Sequence, residues 1–311
     1  MILTSHRLDC LKIALNLLAK SDAFNVFDRV VFLLNGVKGK HLRYVEDYMA
    51  AHPEVAWDTV AGPRGRSECI SSLENQCVEK YPGNVYVKMD EDIFPSHDWA
   101  SRMMEAYEAH KEEDDLALIT PLIPNNSFGL HTLLTEFYPS LLEEHRRLFG
   151  KDPSPDAHSM TWGDPRVAEW GMRQFIELEK ANAEHRKLTA GMDAYERYRR
   201  FSCLFSIGCI CWDYRHWEKM GGVPAKDEPE WCAWIEENGQ RNVLDTSHIV
   251  QHYSFFVQQD WLDRGTFLED FQLLNTPELL PGKGLAYHLP RWVRVMKQGP
   301  RVLRRRLSHG K

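Results

Sequence analysis

The sequence predicts an α/β fold: a mostly parallel sheet flanked by helices, with a helical insertion after the first half. Three observations predict it. Short continuous apolar runs such as Val30-Val31-Phe32-Leu33-Leu34 lack polar alternation, as strands covered on both faces do. Between these runs, apolar residues recur at three- and four-residue spacing, the mark of an amphipathic helix. The two patterns alternate through the first 125 residues, the arrangement of parallel strands joined by crossover helices.

Ile2-Leu3 opens the first strand, and Leu11, Leu15 and Leu18 mark one face of the helix after it. The run from Val30 stops at Asn35-Gly36, a turn pair. Leu42, Val45 and Met49 fit a second helix, residues 55–60 a third strand, and Ile70, Leu73 and Cys77 a third helix. Residues 85–89 form a fourth strand, Trp99, Met103 and Tyr107 a helix, and residues 116–119 a further strand. Residues 131–200 are rich in Glu, Arg, Lys, His and Leu and predict helices around a loop at 150–165. Strand character returns at 204–212, where Phe205, Ile207, Cys209 and Cys211 share a face and Gly208 leaves room for close backbone approach. A short helix at 230–237 and extended chain at 243–256 follow. The expectation is one domain over residues 1–290, with a first half to about 125, the insertion at 131–200 and a second half at 203–290, then a tail at 291–311.

Charge is distributed unevenly. The chain has 38 Lys+Arg against 45 Asp+Glu, a net charge of −7. Residues 291–311 contain eight bases and no acid, leaving 30 bases against 45 acids elsewhere, a balance of −15. An acidic body excludes a generally basic nucleic-acid binder. The tail mixes its cations with Trp292, Val293, Val295, Met296, Val302, Leu303 and Leu307. That composition suits either an anionic membrane surface or a C-terminal helix packed on an acidic body. The seven cysteines are odd in number and mostly sit beside apolar residues, so reduced thiols in a cytoplasmic protein are expected. The first residues have no signal-peptide layout, and no stretch has the length and apolarity of a membrane span.

The chemistry concentrates at Asp90-Glu91-Asp92, directly after the 85–89 strand. Ligands of open α/β sheets bind beyond the carboxyl ends of strands, and two carboxylates two residues apart can turn to one hard cation such as Mg²⁺ or Mn²⁺. Arg64 and Arg66 lie in the loop Gly62-Pro63-Arg64-Gly65-Arg66 and serve either as a phosphate clamp or as solvated loop residues. His252, beside Tyr253 and Phe255, reads by itself as a hydrogen-bonded structural residue, with His248 close by in sequence. Trp212, Trp217, Trp231 and Trp234 cluster late in the chain, where core packing is their expected role and stacking on a bound ring the alternative.

In the order of these pieces the chain resembles the GT-A glycosyltransferases of the family-2 type, over roughly residues 1–125 and 203–256. Thr4-Ser5-His6-Arg7 is similar to the family's Thr-Tyr-Asn-Arg opening. Phe32-Leu33-Leu34-Asn35-Gly36 stands where the family has a strand ending in Asp-Gly-Ser, and Asp90-Glu91-Asp92 matches its Asp-x-Asp motif. Gly221-Gly222 with Asp227-Glu228-Pro229-Glu230-Trp231 resembles its Gly-Gly…Glu-Asp-x-Asp-Leu segment, and His252 its late histidine. The departures are Asn35 in place of an acid, the reversed Asp-Glu order at 227–228, and the 131–200 stretch, which has no counterpart.

The resemblance implies a GT-A fold and metal-dependent, inverting transfer of a sugar from a nucleotide-sugar donor, a UDP-sugar first among candidates, to a saccharide or lipid-linked acceptor. It implies Asp90, Asp92 and His252 on Mn²⁺ or Mg²⁺, with Thr4, Ser5, Arg7, Asn35, Arg64, Arg66 and Asp90 toward the donor. Glu228 is the implied general base with Asp227 in support, a frame that Pro229 favours because proline suits a first helical turn; the order of the two acids stays open. A surface-polysaccharide or glycolipid role, with the chain cytoplasmic or at the inner face of the membrane, is the implied setting. A sugar-nucleotide nucleotidyltransferase and an inactive binding subunit are the rivals. The first lacks its glycine-rich phosphate loop here, since residues 4–9 contain no glycine.

Overall fold

The structure, a computed structural model, describes residues 1–156, 159–193, 197–201 and 205–280. The chain divides into two compact units, Met1–Thr276 and Pro277–Lys311. Of the second, the described part is a short 3₁₀ turn, Pro277–Leu279, and its neighbour Leu280. The basic segment 291–311 and Cys203 lie outside the described residues.

Among the described residues the first unit has ten strands: β1 (Ile2–Thr4), β2 (Val30–Asn35), β3 (Trp57–Gly62), β4 (Val85–Asp90), β5 (Ile93–Phe94), β6 (Leu116–Leu122), β7 (Tyr198–Phe201), β8 (Cys209–Asp213), β9 (Arg241–Ile249) and β10 (Gln251–His252). Eight form one sheet in the order β3-β2-β1-β4-β8-β6-β9-β7. Strands β1 to β4 run parallel, as do β6 and β9, while β8 and β7 are antiparallel to their neighbours. The mostly parallel α/β sheet expected from the apolar runs is therefore present.

Every residue of β2 is buried. On one face Leu3, Val31, Leu33 and Val60 pack with Leu73 and Cys77 of the Ser67–Lys80 helix. On the other, Phe32 stacks on Trp57 with centroids 5.5 Å apart. A fully buried Leu or Phe contributes about 1.5–3 kcal/mol by leaving water, which is why such runs seek the sheet's centre. In the second half Tyr86, Leu118, Ile210, Trp212, Trp231, Ile235 and Leu244 form the corresponding core, with Trp212 and Trp231 edge-to-face at 5.4 Å. Trp217 and Trp234 pack against this core as well. Cys10, Cys77, Cys209 and Cys211 are buried thiols outside any disulfide.

Three elements differ from expectation. The third strand begins at Trp57 rather than at 55, because the chain first turns through a Val55 N–H to His52 carbonyl bond of 3.2 Å. The 204–212 strand begins at Cys209: Ile207 and Gly208 form a turn, and Phe205 packs edge-to-face on Trp231 instead. The 131–200 region is helical as expected, with helices at Pro139–Phe149, Pro165–Gln174 and Leu178–Thr189, but it ends in β7, which closes the sheet against β9. Among the described residues no helix is long and apolar enough to cross a membrane.

Candidate active site

Strand β4 carries the site. With side chains alternating along it, Tyr86, Lys88 and Asp90 share one face. Lys88 is 1% exposed; its Nζ lies 2.9 Å from Asp90 Oδ1 and 3.5 Å from Glu74, and it donates to the Ile207 carbonyl at 2.8 Å. Glu74 comes from the Ser67–Lys80 helix and is fully buried, its carboxylate oxygens without hydrogen-bond partners among the described residues. Burial alone would push the Lys88 ammonium down, but Asp90, Glu74 and Asp227 hold it above its ordinary value. Burial pushes Glu74 up to about 8, against the pull of Lys88 and with the repulsion of Asp227 and Asp90. Two acids thus pair with one buried cation, and Asp227 and Glu228 feel its charge.

The three acids of the 90–92 triplet diverge. Asp90 is turned to Lys88, and its N–H donates to the Gly208 carbonyl at 2.8 Å. A Cβ on Gly208 would stand 3.3 Å from Ile93 Cδ1 and 3.4 Å from Asp90 Oδ2, the close approach expected there. Glu91 turns back to the loop after β1 and accepts from Thr4 Oγ1 (2.6 Å) and from the N–H groups of Ser5 (3.1 Å), His6 (2.9 Å) and Arg7 (2.9 Å). Consecutive N–H groups at a helix start form a ready anion cradle, here filled by the chain's own carboxylate. Asp92 faces His252, whose Nε2 is 3.4 Å away. Antiparallel pairing of β10 with β5 brings His252 there, and the Tyr253 N–H donates to the Asp92 carbonyl at 2.8 Å. Burial would raise Asp92, yet His252 and Arg7 hold it below the usual carboxylate range.

The second acidic segment reaches the same edge from the other half. Gly221 and Gly222 take φ of 76° and 107°, which glycine permits. A Cβ on Gly222 would press to 3.1 Å on Asn75 Oδ1. Asn75 holds this turn, accepting from the Val223 N–H (2.7 Å) and Trp217 Nε1 (2.7 Å) and donating to the Val223 carbonyl (3.0 Å). Ser71 Oγ donates to the Pro224 carbonyl at 2.7 Å. The helix that bears Glu74 therefore also fixes the approach to Asp227. Asp227, buried, has φ 60°, positive for a non-glycine residue and costing on the order of 1–3 kcal/mol. It precedes the Glu228–Glu237 helix, where Pro229 lies in the first turn. Burial pushes Asp227 up to about 6 against the pull of Lys88, with Asp90 adding repulsion, and burial beside Asp227 pushes the half-buried Glu228 up to about 8.

The remaining expected residues shape loops. Asn35 is buried, its amide donating to the Gly65 carbonyl and accepting the Gly65 N–H, both at 2.9 Å. Gly36, at φ 68°, lies so close that a Cβ would fall 2.2 Å from Arg64 Cβ, so Asn35-Gly36 fixes the 62–66 loop. Arg64 and Arg66 are exposed on it. Thr4 is buried, bonded to His41 as well as Glu91. Arg7 pairs with Asp9 (3.0 Å) and Asp263 (3.1 Å) and lies over the Tyr253 ring at 4.8 Å. His248 is buried against Asp245 at 3.1 Å, away from the triplet.

Among the described residues, no group of three or more His, Cys, Asp or Glu side chains stands ready to hold a metal ion. The donor types nonetheless fit a hard divalent cation: two carboxylates and one imidazole, with His252 Nδ1 buried and without a hydrogen-bond partner. Sequence reasoning missed Lys88, Glu74 and Asn75. The signal was present for the first two, a lysine inside an apolar strand and a glutamate on the apolar face of Ile70, Leu73 and Cys77.

No family model matches the chain, and no curated protein matches it. Solved structures do. A mannosyltransferase from Pyrobaculum calidifontis, in complex with GDP-Man and Mn²⁺, is similar over 84% of this chain and 58% of its own, at TM-score 0.49 and 12% identity. GalNAc-T7 with UDP, GalNAc and Mn²⁺ is similar over 82% of this chain and 44% of its own, at TM-score 0.49 and 11% identity. S. aureus TarS with UDP is similar over 40% and 34%, at TM-score 0.32 and 15% identity. The chain thus spans about half the length of the first two structures it matches.

Proposed function

We propose that this chain is a GT-A-type glycosyltransferase that moves a sugar from a nucleotide-sugar donor to an acceptor hydroxyl with inversion, using Mn²⁺ or Mg²⁺. One observation carries the reading: the Asp90/Asp92/His252 group and the Asp227/Glu228 group, distant in sequence, converge on one strand edge around Lys88. Asp90, Asp92 and His252 would hold the divalent ion, which offsets the negative charge gathering on the leaving nucleoside diphosphate. Arg64 and Arg66 extend the cationic surface toward that diphosphate from a loop set by Asn35 and Gly36. Thr4, Ser5 and Arg7 serve the donor side through the loop that Glu91 shapes.

Glu228, at the mouth of a helix, takes the proton from the acceptor hydroxyl. The freed oxygen pair bonds to the anomeric carbon as the bond to the diphosphate oxygen breaks. A base with an affinity for protons matched to working pH suits this task, and burial supplies that match. Asp227, held in its strained backbone, supports it. A UDP-sugar is the first donor to try, a saccharide or lipid-linked hydroxyl the first acceptor. The eight cations of 291–311 would hold the chain to an anionic membrane surface on the cytoplasmic side.

The test is a thermal-shift screen with UDP-, GDP-, CMP- and dTDP-sugars in the presence of Mn²⁺, followed by donor hydrolysis and transfer assays. Ligand binding raises the unfolding temperature with the logarithm of concentration over dissociation constant, without knowledge of the acceptor. The reading requires stabilisation by one nucleotide class and slow turnover of that donor. Stabilisation without turnover makes the chain a binding subunit, and stabilisation by none removes the reading.

A further inference from the structure

The Ser67–Lys80 helix belongs to the first half of the chain, and its Leu73 and Cys77 pack on Leu3, Val31, Leu33 and Val60. A second stripe on the same helix is polar: Ser71, Glu74 and Asn75 stand at i, i+3 and i+4, which share a face. Ser71 and Glu74 are buried and Asn75 is half-buried. Polar groups withdrawn from water need partners, so an inward polar stripe marks a specific attachment. Glu74 faces Lys88, and the other two reach across to the segment before Asp227.

Ser71 Oγ donates to the Pro224 carbonyl at 2.7 Å, and that same carbonyl accepts the Asp227 N–H at 2.9 Å. One shared acceptor therefore links the helix to the backbone of Asp227. Asn75 grips the residue before Pro224, accepting from the Val223 N–H at 2.7 Å and donating to the Val223 carbonyl at 3.0 Å. Asp227, at φ 60°, turns the chain into the Glu228–Glu237 helix. A sparsely populated backbone conformation persists only where its surroundings hold it, and here the hold is on Val223 and Pro224.

We propose that Ser71 and Asn75 are positioning residues for the general base: they set where Asp227 and Glu228 stand by gripping Val223 and Pro224, without touching substrate. The inference rests on the transfer reading above, in which Glu228 takes the acceptor's proton. A base works only within hydrogen-bond reach of that proton, about 2.6–3.2 Å between heavy atoms. A shift of about 1 Å costs on the order of a hundredfold in rate. The donor is held by other residues, so the grip acts on the rate and not on donor affinity.

The experiment is steady-state hydrolysis by the full chain, with Mn²⁺, of UDP-glucose, UDP-N-acetylglucosamine, GDP-mannose, CMP-N-acetylneuraminate and dTDP-rhamnose, water standing in for the acceptor hydroxyl. On the donor that is turned over, Asn75→Ala should lower kcat about a hundredfold and Ser71→Ala about tenfold, with KM changed by less than about twofold. Trp217→Phe is the structural control. It removes the Trp217 Nε1 donation to Asn75, 2.7 Å long, but leaves both bonds to Val223. It should lower the melting temperature while changing kcat by less than about twofold. Asn75→Ala added to Glu228→Gln should cost nothing beyond Glu228→Gln alone, because the grip then has no base to place. If Asp227→Asn proves the costlier single change, it takes the place of Glu228→Gln in this pair. Should Asn75→Ala fail to fold, Ser71→Ala, the loss of one hydroxyl, carries the same comparison. Unchanged kcat in a variant that circular dichroism shows folded overturns the inference, as does full additivity with Glu228→Gln or an equal loss of kcat in Trp217→Phe. If the unaltered chain hydrolyses none of these donors, or if neither acid at 227–228 matters to hydrolysis, the transfer reading itself falls and this inference with it.

Discussion

The segment around Asp92 and the segment around Glu228 place carboxylates at the same edge of one sheet, yet their surroundings drive them in opposite directions. Around Asp92 a countercharge is at hand: His252 stands 3.4 Å away and Arg7 adds to it, so the acid is held ionised despite burial. Around Asp227 the chief charged neighbour is Lys88, already engaged by Asp90 and Glu74, and around Glu228 it is the adjacent acid Asp227. Burial then dominates, and the acids hold protons toward neutral pH. Asp92, held low, and Glu228, pushed up, have environments that separate their proton affinities and can take two tasks, one for binding cationic charge and one for moving protons, while burial pushes Asp90 up despite Lys88. Lys88 joins the two sets, since it contributes to Asp90 directly and to Asp227 and Glu228 through the field.

The largest expected effect tests the first set. Asp92→Ala, or excess EDTA on the unaltered chain, should abolish transfer and sugar-nucleotide stabilisation while leaving the circular dichroism unchanged. Undiminished turnover in EDTA breaks the comparison at its first half, because the ionised acid would then have no cation to hold.

The second test separates the two sets. Glu228→Gln should retain sugar-nucleotide binding yet lose transfer by roughly a hundred- to ten-thousand-fold, the usual cost of removing a general base. Asp227→Asn should cost less. If the two losses come out reversed, Asp227 is the base. If Glu228→Gln loses binding as well, both segments serve the donor and the division of labour is wrong.

The smallest effect concerns what holds the Glu228–Glu237 helix in place. Trp231 of the Glu228–Glu237 helix donates from Nε1 to His216 Nε2 at 2.8 Å, and the two rings stack 5.8 Å apart. Burial pushes His216 down to about 4, and His185, whose Nε2 lies 2.7 Å from the Thr246 carbonyl, down to about 4. Both imidazoles are neutral in the fold, whereas an unfolded histidine takes its proton near 6.5. Their stability contribution is therefore complete above about 6.5 and falls away as pH drops toward 4, by about 2–3 kcal/mol for each. Glu74, Glu228 and Asp227, whose proton affinities are raised, change stability in the opposite sense over the same window, so the share of His216 is read as a difference: denaturant titrations of the unaltered chain and of His216→Gln should show the stability lost by the substitution shrinking between pH 7 and pH 4. A difference independent of pH over that window would mean that His216 is not the neutral acceptor beneath Trp231.

Much of this architecture was legible beforehand because burial on both faces leaves a direct imprint on sequence. The β2 run and the Leu3, Val31, Leu33 pattern needed only apolarity and period to be placed, and Asp90-Glu91-Asp92 was found by its position after such a run. Asn35-Gly36 was legible as a strand end. Its amide clasp on Gly65 was not, because that bond joins positions thirty residues apart in number. Strand β7 escaped notice for a similar reason: Tyr198–Phe201 carries two arginines and becomes a strand only by pairing with β9 at the sheet's edge. Pairing across the chain decided it.

The sequence by itself determined which stretches would be buried, where strands would stop, and which acids would stand at their ends, since these follow from local periodicity and the cost of burying polar groups. Only the tertiary structure decided what each acid meets. It turned Glu91 back onto three backbone N–H groups, and it set His252 opposite Asp92 through a two-residue strand pair. It also buried Lys88 among Glu74, Asp90 and Asp227. The physical reason is that the proton affinity of a buried carboxylate depends on desolvation and on charges within a few ångströms. Apart from Asp90, two positions from Lys88, and Asp227, next to Glu228, those charges come from residues 14 to 160 positions away, whose distances no local pattern contains.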